Sequence, residues 1–186
     1  MDHAATPPTT APATEFDRLL AEGLAASQAD QREAALDLFA RAGAADPSSG
    51  VPHFLIASEH ASAGDIPAAE QAFAQAVLLA PAFSLARYQL GLLQFSTQRV
   101  PLALLTWEPL LALPDDDALP HFVRGFAALA QDAFDDSLRH FRAGLACGPA
   151  NPALRGDVLQ MVQAVEKLQE PGRDHVLLSA YGRGLH

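Results

Sequence analysis

One cysteine, one lysine and one tryptophan occur in these 186 residues, beside two methionines, and each shortage removes a class of answers. A lone Cys147 cannot build an internal disulfide framework, and its place beside an apolar run predicts a buried, inert thiol. No apolar stretch reaches the 18 or so residues that a membrane-spanning helix needs. Strand-type alternation is missing, so the alanine-rich composition points to an all-α chain. Bases are scarce: 12 Lys and Arg face 22 Asp and Glu, for a net charge of −10. Such a field repels nucleic acid and anionic lipid, so neither is expected as a partner. The surplus is uneven, at 8 acids to 3 bases in residues 1–50, 7 to 2 in residues 51–117, and 7 to 7 beyond.

The signatures of catalysis are also missing. There is no glycine-rich phosphate loop, no His-x-x-x-His pair and no Cys/His spacing suited to zinc. His53 and His60 fall two helical turns apart, about 10 Å, too far to share a metal ion. Ser179 and His175 have neither a carboxylate partner nor a nucleophile elbow. Asp135-Asp136 reads as a charge cluster at a helix start. No catalytic, cofactor-binding or metal-binding residue is expected, and the chain reads as a non-enzyme. Arginine in place of lysine, with abundant alanine, fits a GC-rich bacterial gene.

What is present is a period. Phe39, Phe73, Trp107 and Phe141 lie 34 residues apart. Small residues keep the same step at Gly23, Ala57, Gly91 and Gly125, and again at Ala35, Ala69, Ala103 and Ser137. Pro47, Pro81 and Pro149 follow in phase, with Pro114 one residue early. A small residue lets two helices approach to about 8–10 Å, and the neighbouring ring fills the space between them. Pro67 and Pro101 suit the first turn of a second helix, Pro47, Pro81 and Pro149 each end one, and Asp115-Asp116-Asp117 caps a helix starting near Ala118.

The period and residue classes resemble the tetratricopeptide repeat, a helix-turn-helix of 34 residues. The resemblance implies an all-α, right-handed solenoid of antiparallel helix pairs. Four repeats are expected at about 16–47, 50–81, 84–115 and 118–149, with a capping helix at 151–170 started by Asn151 and Pro152. Together they form a solenoid over residues 15–170. Residues 1–14, rich in Ala, Thr and Pro, read as a disordered leader, and 171–186 as an apolar tail. Leu110 replaces the small residue found as Ala42, Ala76 and Gly144, so shifted packing is expected there.

In this family the concave face is lined by the first helices and receives ligand segments. Projecting those helices gives Leu24, Phe54, Ser58, Leu85, Tyr88, Leu92, Phe95, Leu119, Phe122, Phe126 and Leu129, apolar toward the C-terminal half, with Tyr88 and Phe122 as anchors. Repeats that clamp acidic chaperone tails carry cations in this groove. Here Leu20, Leu24, Phe54, Leu55, Leu85 and Gln89 stand instead, which argues against that role. The tail, through Val176, Leu177, Leu178 and Tyr181, could fill its own groove or that of another copy. The expected function is a cytoplasmic adaptor or chaperone that holds an apolar or amphipathic client segment. In size, charge and groove character it is similar to type III secretion chaperones. The alternative is a self-assembling scaffold, a homo-oligomer built through the tail.

Overall fold

A computed structural model describes residues 14–147 and 152–169. Thr14 opens the first helix through a reciprocal cap: its side chain accepts from the Asp17 N–H, and the Asp17 carboxylate accepts from the Thr14 N–H at 3.0 Å. Helix α1 (Glu15–Gln28) then pairs with α2 (Arg32–Ala45), α3 (Val51–Ser62) with α4 (Ile66–Leu79), α5 (Ser84–Ser96) with α6 (Val100–Trp107), and α7 (Ala118–Leu129) with α8 (Phe134–Ala146). Helix α9 (Pro152–Gln169) closes the series against α8. No strand occurs among the described residues. The all-α solenoid expected from the period is what forms.

Each turn within a pair repeats one backbone device. Asp30, Gly64, Gln98 and Asp132, spaced by 34, all take positive φ, between 55° and 74°. The next residue's N–H then reaches back to a helix carbonyl: Gln31 to Ala26, Asp65 to His60, Arg99 to Gln94 and Ala133 to Ala128, at 2.9–3.0 Å. This is the bond that closes a helix through a left-handed residue. Only one of the four positions is glycine. Proline sits in the first turn of α4 and α6, and Asp117 caps α7 by accepting from the Leu119 N–H at 2.8 Å.

Packing follows the small-residue and aromatic periods. Ala35, Ala69, Ala103 and Ser137 have no exposed surface, and Phe39, Phe73, Trp107 and Phe141 are buried beside them. The Trp107 indole Nε1–H donates to the Tyr88 carbonyl at 2.9 Å. The third repeat departs from the others where the sequence does. After Trp107 the helix tightens into a 3-10 helix, Glu108–Ala112. Pro109 has no N–H for the Leu105 carbonyl, and its ring crowds that turn. Leu110, too large for the small-residue position, is buried by this shift. Between repeats two and three, the Arg99 guanidinium grips both Glu70 carboxylate oxygens at 2.8 Å.

Candidate functional site

The face made by the first helices is best followed in register. Leu20, Phe54, Tyr88 and Phe122 share one position of the 34-residue step, and Leu24, Ser58, Leu92 and Phe126 share another. Their fates divide at the middle of the chain. Leu24 is 43% exposed and Leu20, Phe54 and Ser58 are half-buried, whereas Tyr88 and Phe122 have no exposed surface. Leu92, Phe95, Leu119 and Phe126 are buried as well. An open apolar surface in the C-terminal half, anchored on Tyr88 and Phe122, is therefore corrected: these six side chains are interior.

The reason is contact between neighbouring repeats. Tyr88 of α5 lies 6.3 Å from Phe122 of α7, and Phe95 lies 5.1 Å from Phe126. Phe126 then meets Trp107 at 5.2 Å and Phe141 edge-on at 5.0 Å. Leu154, Val158, Met161, Val162 and Val165 of α9 belong to the same cluster. Leu85 and Leu129 are half-buried against it. A single-helix projection counts every such ring as surface, because the ridge that faces a groove also faces the next helix.

What stays open is the N-terminal half of this face. Phe54 is held from behind by Phe73 and Phe83, with ring centroids at 5.7 and 5.0 Å. The Ser58 hydroxyl donates to the Phe54 carbonyl at 2.9 Å. Polar contacts join α1, α2 and α3 alongside. The Ser27 hydroxyl donates to the Glu59 carboxylate, and the Arg32 Nε–H donates to the Glu59 carbonyl at 3.3 Å. Arg32 also meets His60 Nδ1 at 3.1 Å. The same Nδ1 lies 3.4 Å from the Asp65 carboxylate, so one ring nitrogen borders both an arginine and an acid.

A second concavity opens between α2, α3 and α4. It is about 390 Å³, lined by Phe39, Gly43, Pro52, His53, Ile56 and Leu79. Register explains it: Gly43 stands where the other repeats place Val77, Leu111 and Leu145. A Cβ on Gly43 would meet only the Pro52 Cβ, at 3.6 Å.

No group of three or more His, Cys, Asp or Glu side chains able to hold a metal ion occurs among the described residues. His53 lines the cleft, while His121 Nε2 donates to the Asp115 carbonyl at 2.9 Å. Burial and the charges of Arg139 and Arg124 push the His140 imidazole below its ordinary value. Cys147 is half-buried rather than buried, its thiol 3.4 Å from the Ala143 carbonyl. Asn151, the leader up to residue 13 and the tail residues Val176, Leu177, Leu178 and Tyr181 lie outside the described residues.

The projection also missed a surface. Leu78, Leu102, Leu105 and Leu111 are exposed on the second helices and the 3-10 helix. A signal was available, since α6 carries no charged residue from Val100 to Trp107. A helix apolar all round has more apolar surface than one core stripe can bury.

No protein-family model and no curated protein matches this chain. Solved structures do. PilF of Pseudomonas aeruginosa superposes with a TM-score of 0.62 at 17% identity, covering 92% of this chain and 82% of its own. MamA from residue 41 onward, of Desulfovibrio magneticus RS-1, gives 0.59 at 16% identity over 86% of this chain and 99% of its own. A double mutant of MamA RS-1 gives 0.59 at 16% identity, over 87% and 100%. At such identities the likeness concerns the fold. No helix among the described residues is long and apolar enough to cross a membrane. The 34-residue register, the helix pairs it builds and the solved structures they superpose on establish the fold of a tetratricopeptide-repeat solenoid.

Proposed function

We propose that this chain is a non-catalytic protein-interaction module, a bacterial cytoplasmic adaptor or chaperone that holds an apolar or amphipathic segment of a client. The observation that carries the reading is the division of the first-helix face. Equivalent positions are filled by interior packing in repeats three and four, but Leu20, Leu24, Phe54 and Ser58 remain accessible in repeats one and two. An amphipathic helix laid on this stretch would cover Leu24 and the open edge of Phe54. Carboxylates outnumber bases 8 to 3 in residues 1–50, so a client segment carrying lysine or arginine on its polar face is favoured over an acidic one. A secretion-related client, exposed and apolar before export, fits this chemistry.

The test is co-purification from native lysate with two variants of verified helicity. Leu24→Glu puts a charge on the proposed site, and Leu159→Glu puts one on the comparably exposed Leu159 of α9. The expected outcome is one client kept by wild type and Leu159→Glu but lost from Leu24→Glu. A client that binds all three equally, or is lost from both variants alike, refutes the placement.

A further inference from the structure

One strip of the second-helix surface belongs to neither the core nor the client site. Leu102, Leu105, Glu108 and Leu111 follow one another at three-residue spacing, along α6 and then the 3-10 helix. Residues three apart are neighbours on a helix, and in a 3-10 turn they eclipse, which sets Leu111 in line with Glu108. All four are exposed, Leu105 at 67% and Leu102 and Leu111 at 41% each. The strip is peculiar to the third repeat. At the places of Leu102 and Leu105, α2 has Ala34 and Asp37, α4 has Ala68 and Gln71, and α8 has Asp136 and Arg139. From Val100 to Ala112 the one charged residue is Glu108. Three leucines around a single carboxylate mark an interaction surface, and its complement is an apolar segment that carries one base.

Such a segment follows α9. From His175 to His186, beyond the described residues, the one Asp, Glu, Lys or Arg is Arg183. Leu178, Tyr181, Arg183 and Leu185 run in the order of Leu102, Leu105, Glu108 and Leu111: two apolar residues, a charge of the opposite sign, then a third apolar residue. The point of departure suits that order. Helix α9 passes residue 166, one period beyond the turn residues Asp30, Gly64, Gln98 and Asp132, so it ends at the turn edge of the solenoid. There α6 also begins, directly after Gln98 and Arg99, so a chain leaving α9 meets Leu102 first and Leu111 last. Reach agrees. The stretch from residue 170 to 177 spans at most about 26–29 Å. Helix α9 packs on α8, α8 on α7 and α7 on α6, in zigzag steps of about 8–10 Å. The client face on α1 and α3 lies farther, beyond α5 and α4, and Leu159 of α9 stands singly between exposed Arg155 and Gln163. We propose that residues 176–185 fold back over the turn edge and cover the α6 strip of their own chain, parallel to it. Leu178 and Tyr181 then lie on Leu102 and Leu105, Arg183 pairs with Glu108, and Leu185 lies on Leu111. The first-helix face is left free for a client.

Hydrogen exchange of the full chain, read by mass spectrometry on peptides covering residues 175–186, tests the placement. In wild type these amides should exchange on the order of tenfold more slowly than in Leu105→Glu, which sets a carboxylate against the docked segment. Leu105 is exposed, so circular dichroism of that variant should be unchanged. Glu108→Arg and Arg183→Glu should each speed the exchange, and the two together in one chain should slow it again. A direct reading of the register comes from Leu105→Cys with Tyr181→Cys in a Cys147→Ser background, which on oxidation should close a disulfide within one chain. Wild-type tail amides that exchange at the rate of an unfolded peptide overturn the proposal. Protection that survives Leu105→Glu but is lost with Leu24→Glu moves the segment to the first-helix face and overturns it too. Disulfide-linked dimers in place of linked monomers assign the strip to a second copy, against the proposal. Failure of the double charge exchange to restore protection overturns the parallel order.

Discussion

Replacing Gly91 by alanine should weaken the protein although it improves the helix. A Cβ built at Gly91 would lie 2.2 Å from the Trp107 Nε1 and 2.5 Å from Cδ1 and Cε2. The ring cannot step back freely. It is fully buried, its Nε1–H is bonded to the Tyr88 carbonyl at 2.9 Å, and it stacks on Tyr88 and Phe126 at 6.0 and 5.2 Å. Overpacking of this kind costs about 1–3 kcal/mol. Disturbing the indole hydrogen bond adds about 1 kcal/mol, and the better helix propensity of alanine returns about 1 kcal/mol. The net expectation is destabilisation by about 1–3 kcal/mol. Gly43→Ala is the matched control, because its Cβ meets only the Pro52 Cβ at 3.6 Å. That variant should gain about 0.5–1 kcal/mol. Urea unfolding followed by circular dichroism and by fluorescence measures both, and Trp107, the chain's single tryptophan, reports from the altered site. If Gly91→Ala proves as stable as Gly43→Ala, the close-packing account of the small residues is wrong.

Asp132 holds positive φ at the position that Gly64 fills in the second repeat, so Asp132→Gly should raise stability by about 0.5–1 kcal/mol, read as a shifted urea midpoint. Conversely, Gly64→Val should lower it by about 1–2 kcal/mol, although nothing lies within 4 Å of its Cβ. Gly43→Leu should fill the cleft beside Phe39 and Ile56 and stabilise further than Gly43→Ala, checked by the same unfolding curves. The Arg99 hydrogen bonds hold the Glu70 carboxyl below its ordinary 4.5, so the folded state binds a proton less readily than the unfolded one. Its contribution is present above about pH 4.5 and is lost as pH falls through the lowered value. Both side chains are partly exposed, which limits the contribution to about 1 kcal/mol or less. Glu70→Gln should therefore flatten the acid limb of a melting-temperature profile. Superimposable acid limbs would count against the pair.

Fold class was legible because it rests on local chemistry repeated in phase. A small residue beside a large ring every 34 positions admits few structures other than stacked helix pairs, and the caps at Asp117, Pro67 and Pro101 need only their neighbours. Leu110 announced the disturbance in repeat three, and Pro109 decided its form. The site was another matter. Tyr88 and Leu20 occupy the same register, as do Phe126 and Leu24, so the period alone treats them alike. One of each pair is interior and the other accessible because Tyr88 and Phe126 share a cluster with α6, α7, α8 and α9, while Leu20 only borders the smaller cluster of Ala26, Ala35 and Phe39, and Leu24 is 43% exposed. Sequence determined which helices form and which residues recur at each contact. Only tertiary structure decided which recurrent positions become core and which remain surface, since burial depends on how many elements converge on a side chain. A helical projection contains one of them.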